Sequence, residues 1–227
     1  MEIYRYETHC HTFEGSACAT SKATELVHKY KELGFQGIII TDHFYNGNCR
    51  PLRSLDWNKW VDEYASGYLH AYEEGQRIGL DVFFGIEWCR HGFELLTYGL
   101  SIEWLKQHPE IIDMDIVDYC RLVKRAGALV IQAHPFREAS YIDRFTLIPH
   151  EVDGLEVINT SHKDPKYNER AKWLADSFNL VGTSGSDTHS INNINYGGVG
   201  FKEKLTSIND YVRLVKNRQI VKLFDCE

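Results

Sequence analysis

The chain carries no run of about twenty consecutive apolar residues, the length a membrane-spanning helix needs. Its opening, Met1-Glu2-Ile3-Tyr4-Arg5-Tyr6, equally lacks the apolar stretch of a signal peptide. Secretion and membrane insertion are therefore set aside, and the expectation is a soluble cytoplasmic protein. Proline is scarce, at 5 in 227 residues, and there is no Gly/Ser tract, long block of like charge or repeat of fixed period. Without a linker signal, residues 1–227 are expected to form a single domain. Cys-x-x-Cys pairs are absent; the six cysteines, at positions 10, 18, 49, 89, 120 and 226, form no dense framework and read as reduced thiols. An excess of basic charge is missing too. With 25 Lys and Arg against 32 Asp and Glu, the formal net charge is −7, which speaks against a track for a long nucleic acid.

Apolar residues are plentiful: they make up 43% of the chain, with aromatics at 13%, enough for one sizeable core. They recur as short β-branched runs followed by stretches of helical spacing that stop at Gly, the mark of β-α units. Strands are expected at residues 3–8, 37–41, 80–87, 95–98, 128–133, 154–158, 180–183 and 220–224, and helices at 21–33, 55–77, 116–125 and 168–178. A last helix opens at Ser207, with Asp210 three residues on in the manner of a capping box. Runs such as Gly37-Ile38-Ile39-Ile40-Thr41, apolar without alternation, suit parallel strands covered on both faces. The count points to a closed or nearly closed β/α barrel, with an open doubly wound sheet as the alternative.

Histidine is the residue type that carries chemistry here. There are 11, and because imidazole is the commonest metal ligand, their positions matter more than their number. His9 and His11 close the first expected strand, Asp42 and His43 the second and Glu87 the third. Glu94 opens the fourth, His134 follows the fifth, and Asp187 and His189 follow the strand at 180–183. If the strands are parallel, these groups gather at the carboxyl rim, where β/α barrels carry their active sites. Residues i and i+2 of a strand point the same way, so His9 and His11 converge on one ion with Cys10 turned away; the same holds for Asp187 and His189. Imidazoles and carboxylates without a thiolate suit Zn, Mn or Fe rather than a structural Cys-rich zinc site. More ligands are present than one tetrahedral ion uses, so two or three ions are expected, with Glu87 as the bridge. His28, His70, His108 and His150 are assigned structural roles, His91 and His162 stay open, and Cys10 and Cys18 are assigned to core packing.

In this order, His9-x-His11, Thr41-Asp42-His43, Gly85-Ile86-Glu87, Ala133-His134-Pro135 and Gly185-Ser186-Asp187-Thr188-His189 resemble the PHP family, the polymerase and histidinol phosphatase domain. The resemblance runs from residue 3 to about residue 200. It implies an α/β fold, a distorted (β/α)7 TIM-like barrel, with up to three Zn, Mn or Fe ions at the carboxyl rim. It places His9, His11, His43, Glu87, His134, Asp187 and His189 on ligand positions. Two positions depart from the pattern. Where the family usually has Asp or His after the first pair, the candidate is Glu14; where it often has His before a Leu-rich strand, the nearest match is Glu94. Oxygen in place of nitrogen favours the harder Mn or Fe.

The implied activity is metal-dependent hydrolysis of a small phosphate monoester, histidinol phosphate or a nucleotide, by a metal-activated water. Glu87, Asp187 and His189 are the catalytic candidates. Arg137 offers a fork for a phosphate oxygen, and His162 is a further candidate for substrate contact. The alternatives are exonuclease-like or nucleotide phosphodiesterase activity, or a non-catalytic regulatory module. Amidohydrolase chemistry also uses His-x-His on a first strand, but no expected strand end offers the bridging Lys it needs.

Overall fold

The computed structural model describes residues 2–142, 144–194 and 196–225, and Cys226 lies outside them. Strand β1 (Tyr4–Cys10) leads to helix α1 (Ala23–Glu32), then β2 (Gly37–Ile40), α2 (Trp57–Ile78), β3 (Asp81–Arg90), β4 (Phe93–Tyr98), α3 (Ile102–Gln107) and α4 (Ile116–Arg125). There follow β5 (Leu129–Gln132), β6 (Gly154–Asn159), α5 (Lys166–Ser177), β7 (Val181–Gly185), β8 (Val199–Phe201), α6 (Ile208–Lys216) and β9 (Lys222–Leu223). The sheet runs β7-β6-β5-β4-β3-β2-β1-β8-β9. Just past β7, Thr188 returns to β1: its carbonyl accepts from the amide of His11 at 2.9 Å, and Cys10 and Thr188 form a parallel bridge. β7 thus meets β1, and the sheet is a nearly closed seven-stranded barrel with β8 and β9 as an antiparallel extension of β1. The open sheet is excluded by that closure.

Within the seven-stranded barrel, uniformly parallel pairing fails at one strand. β4 is antiparallel to both β3 and β5. A two-residue turn joins β3 to β4, with His91 at φ 52° and Gly92 at φ 75°, the left-handed pair a tight hairpin needs. His91 is thereby an exposed turn residue, and hairpin pairing carries β3 beyond Glu87 to Arg90.

Period two sorts the side chains of the sheet. Ile38 and Ile40 face outward onto Leu26, Val27 and Tyr30 of α1. Ile39 faces inward with Leu96, Tyr98, Leu129 and Ile131, and Tyr211, Val212, Leu214 and Val215 of α6 join that cluster from the amino ends of the parallel strands. One mouth of the barrel is filled in this way, and the opposite rim carries the polar groups. Outside, Trp60 and Tyr64 of α2 stack at 5.1 Å and pack edge-on against Phe44. Each such buried side chain contributes about 1.5–3 kcal/mol.

At α6 the capping box does not form. Ser207 makes no cap bond, and the Asp210 carboxylate instead accepts from the amide and hydroxyl of Thr206 at 2.9 and 2.6 Å. The closing strand is shorter than residues 220–224: it is Lys222–Leu223, flanked by bonds from the Val221 amide to Gly200 O and from the Phe224 amide to Gly198 O, both at 2.9 Å. No described helix is long and apolar enough to cross a membrane.

Candidate metal centre

The open rim is built from buried ionisable groups. β1 delivers His9, and its continuation delivers His11; Cys10 between them turns outward into the α1 core. Glu87 projects from β3, with His43, just after β2, bridged beside it. Glu94 reaches the same rim because β4 is reversed: the start of an antiparallel strand lies level with the ends of its parallel neighbours. His134 and Asp187 follow β5 and β7 in left-handed backbone, at φ 24° and 54°. Such strain costs of the order of 1–3 kcal/mol per residue and is commonest at functional sites.

Acceptors converge at the centre. His9 Nε2 lies 3.0 Å from Glu87 Oε1, 3.4 Å from Asp187 Oδ1 and 3.1 Å from His11 Nε2. His11 Nε2 is 3.2 Å from Asp187 Oδ1 and 3.6 Å from Glu87 Oε2. Glu87 is completely buried and faces both ways: Oε1 lies 3.4 Å from His134 Nε2, and Oε2 lies 2.5 Å from His43 Nδ1. Neither Glu87 oxygen, nor His43 Nδ1, nor Glu94 Oε2 has a hydrogen bond of proper geometry. Among the described residues, four groups have ligand atoms within 4.8 Å of one another: His11, His43 and His189; His9, Glu87 and His134; His9, His11 and Asp187; and His43, Glu87 and Glu94.

The charges are strongly coupled. Burial alone would raise the Glu87 carboxyl, but His43 and His9 hold it well below the usual carboxylate range. Burial likewise opposes ionisation of Asp187, and the Arg137 and His9 charges overcome it. His11 is pushed down by burial and by His189 and His43 beside it. Glu94, buried and next to Glu87, is pushed up to about 7.

The expected residues separate on geometry. His9, His11, His43, Glu87, Glu94, His134, Asp187 and His189 come together. Glu14 does not: its carboxylate accepts from the amide of Ala23 at 3.0 Å, at the start of α1, and otherwise faces His70 at 3.8 Å. The reason is local, since a carboxylate is stabilised by the free amides of a helix N-terminus. Arg137 reaches the rim with Nη2 2.5 Å from Asp187 Oδ2 and 3.0 Å from Ser161 Oγ. His162 stands behind it, accepting from Arg137 Nε at 3.3 Å and placing Nδ1 2.9 Å from Asn168 Oδ1. Burial and the guanidinium push that imidazole down to about 4. Cys18 is not in the core; it is exposed at a cavity of about 480 Å³, together with His43, Glu94, Arg137, Asp187 and His189. His28, His108 and His150 sit against Glu74, Trp104 and Phe178 away from the rim.

Three carboxylates carry more than the sequence reading assigned them. Glu156 of β6, completely out of solvent contact apart from 1%, accepts from His9 Nδ1 at 2.9 Å, from the His134 amide at 3.0 Å and from Asn159 Nδ2 at 2.9 Å. It fixes the His9 proton on Nδ1 and turns the Nε2 lone pair inward, as carboxylates behind metal-binding histidines do. Glu7 accepts from the amides of Thr8, His9 and Ser186. Asp42 accepts from Thr12 and Ser16 at 2.6–2.7 Å and anchors the loop after β1. An acid inside an otherwise apolar strand was the available signal for Glu156.

The sequence matches the PHP domain family over residues 7–221. The chain belongs to the PHP family. No curated protein matches it. Among solved structures, this PHP chain superposes on a two-domain protein from Bacteroides vulgatus described as containing a PHP-like metal-dependent phosphoesterase. The TM-score is 0.72 at 19% identity, over 99% of this chain and 65% of that one. This chain therefore spans about two thirds of that protein's length. A Bifidobacterium adolescentis structure described as a metal-dependent phosphoesterase gives a TM-score of 0.59 at 20% identity, covering 94% and 96% of the two chains. A Chromobacterium violaceum amidohydrolase gives 0.55 at 15% identity, covering 96% and 97%. At these identities the likeness is one of fold.

Proposed function

We propose that this PHP protein is a metal-dependent phosphoesterase that hydrolyses a small phosphate monoester, releasing the alcohol and inorganic phosphate. Glu87 carries the reading: it is buried, neither oxygen has a hydrogen-bond partner, and imidazoles of His9, His11, His43 and His134 surround it. A buried carboxylate in that setting calls for cations, and the donor set of His, Asp and Glu fits Zn, Mn or Fe. Two or three divalent ions would be held by His9, His11, His43, Glu87, Glu94, His134, Asp187 and His189, with Glu87 between them. Ions bound there supply an activated water and neutralise charge on the phosphoryl oxygens.

The chain's own contribution is positioning, which is most of what phosphoryl transfer asks of a protein. Glu156 orients the His9 ring, and Asp187 is oriented by the Arg137 guanidinium. Arg137 lines the cavity and would offer its Nη1 group to a non-bridging phosphate oxygen, while His162, its Nδ1 proton on Asn168, and Asp187 hold Nε and Nη2 in place. A cavity of about 480 Å³ suits a small phosphorylated metabolite such as histidinol phosphate, a sugar phosphate or a nucleotide. On this reading residues 1–227 act as one cytoplasmic catalytic domain with neither a long nucleic acid nor a membrane as partner.

The test is phosphate release from a panel of histidinol phosphate, sugar phosphates and nucleoside monophosphates, with the protein loaded in turn with Mn, Zn and Fe(II). Release from at least one compound, abolished by chelation, is expected. No release from any of them with metal demonstrably bound would sink the phosphatase reading.

A further inference from the structure

The loop between β1 and α1 is held more tightly than a connection requires. The Arg50 guanidinium gathers the carbonyls of Ser16, Ala17 and Ala19, each at 3.3 Å, and that of Phe13 as well. The Arg50 amide donates to Gly15 O at 2.8 Å, the Ala17 amide donates to Asn48 O at 2.7 Å, and Ser16 bridges to Cys49. On the inner side Asp42 takes the Ser16 hydroxyl at 2.7 Å. Residues on either side of Cys18 are thus fixed, and the fixed loop presents one side chain to the cavity. Cys18 lines that cavity together with His43 and His189.

Two further observations mark that side of the cavity as a ligand site. His43 lines it at only 9% exposure and turns Nδ1 to Glu87 Oε2 at 2.5 Å, which leaves its other ring nitrogen, Nε2, for a ligand on the Cys18 side. The group formed by His11, His43 and His189 is also the one of the four that contains no acid. An ion held there by imidazoles alone would lack an anionic ligand, and Glu14 is turned away to α1.

We propose that Cys18 is a thiolate ligand for a divalent cation held by His11, His43 and His189. This rests on the metal-binding reading above and specifies one of its sites. A donor set of three imidazoles and one thiolate selects borderline or soft ions, Zn, Fe(II) or Co(II), over Mn, because sulfur discriminates against hard cations. That reverses the preference expected from an oxygen donor at this position.

The probe is Co(II) added to the metal-stripped, full-length protein, followed by absorption spectroscopy. A thiolate on Co(II) gives an intense near-ultraviolet charge-transfer band that nitrogen and oxygen ligands do not. The wild-type protein and Cys89→Ser are expected to show the band; Cys89 is the other thiol lining the cavity. Cys18→Ser is expected to lose the band and to bind that ion more weakly by at least the ~10-fold that loss of a mere outer partner causes. In the native chain, Co(II) should also protect Cys18 from alkylation, read by peptide mass spectrometry, which needs no variant. Co(II) bound without the band, or a band surviving in Cys18→Ser, overturns the thiolate assignment and leaves the His/Asp/Glu centre standing. No Co(II) bound at all overturns both.

Discussion

Glu156→Gln is a change of one atom in the support of the rim, and its cost follows from three bonds. One oxygen of the native carboxylate accepts from His9 Nδ1, and the other accepts from the His134 amide and from Asn159 Nδ2. A glutamine keeps an acceptor on one side only. With its oxygen toward His9, its NH2 faces two other donors in a fully buried place. With the amide reversed, its NH2 faces His9 Nδ1, which must then give up its proton to Nε2, the atom that points at Glu87. Each orphaned buried donor costs about 1–3 kcal/mol, so the first arrangement predicts a loss of a few kcal/mol in unfolding free energy. The second blocks the His9 lone pair, and even partial misorientation of a ligand through its carboxylate support weakens metal binding ~10–100-fold. The assay is competition for Zn against a chromophoric chelator, paired with denaturant melts of the chelated protein. A variant that binds Zn as tightly as wild type and melts at the same denaturant concentration would refute the support role of Glu156.

Gly185→Ala should damage the same pair from the other side. A Cβ at Gly185 would stand 2.6 Å from both Glu156 Oε1 and His9 Cβ. Overpacking of this kind costs about 1–3 kcal/mol, and here it must also move His9, so lowered stability and weaker metal binding should appear together; normal metal binding in a destabilised variant would show that His9 had not moved. Asp210→Asn gives a pH signature. Hydrogen bonds from Thr206, then Arg213, push the Asp210 carboxyl down to about 2, so its contribution is present above the unfolded value near 4 and is lost as the pH falls through 2. The side chain is partly exposed, so the wild-type advantage should be below about 1 kcal/mol at neutral pH and should close between pH 4 and 2. A gap independent of pH in urea melts would count against the assignment.

Much of this arrangement was legible along the chain because strand ends and ligands coincide. The His9/His11 spacing, the residues after β2, β5 and β7, and the covered runs of the parallel strands follow from period and composition. Glu94 was found for an incomplete reason. Uniformly parallel strands would put the start of β4 at the wrong end, and only the hairpin through His91 and Gly92 returns it to the rim. Glu156 escaped because its role arises from contact with His9, 147 residues away in sequence. Glu14 and Cys18 exchanged places for a similar reason: the loop that carries them is shaped by Arg50 and Asp42, tertiary partners whose influence no local pattern records. Buried ion networks are decided by who meets whom, whereas strands and helices are decided largely by nearest neighbours.

The packing of α6 against the inside of the barrel has a kinetic consequence. With that mouth filled, everything bound at the rim enters and departs on one side. In the proposed reaction the phosphoryl group lies deepest, and the alcohol it was joined to lies nearer the opening. The alcohol must therefore leave first, and the phosphate that remains occupies the position the next substrate needs. Inorganic phosphate should compete with substrate and the alcohol should not, an order of release imposed by a helix that never touches either product.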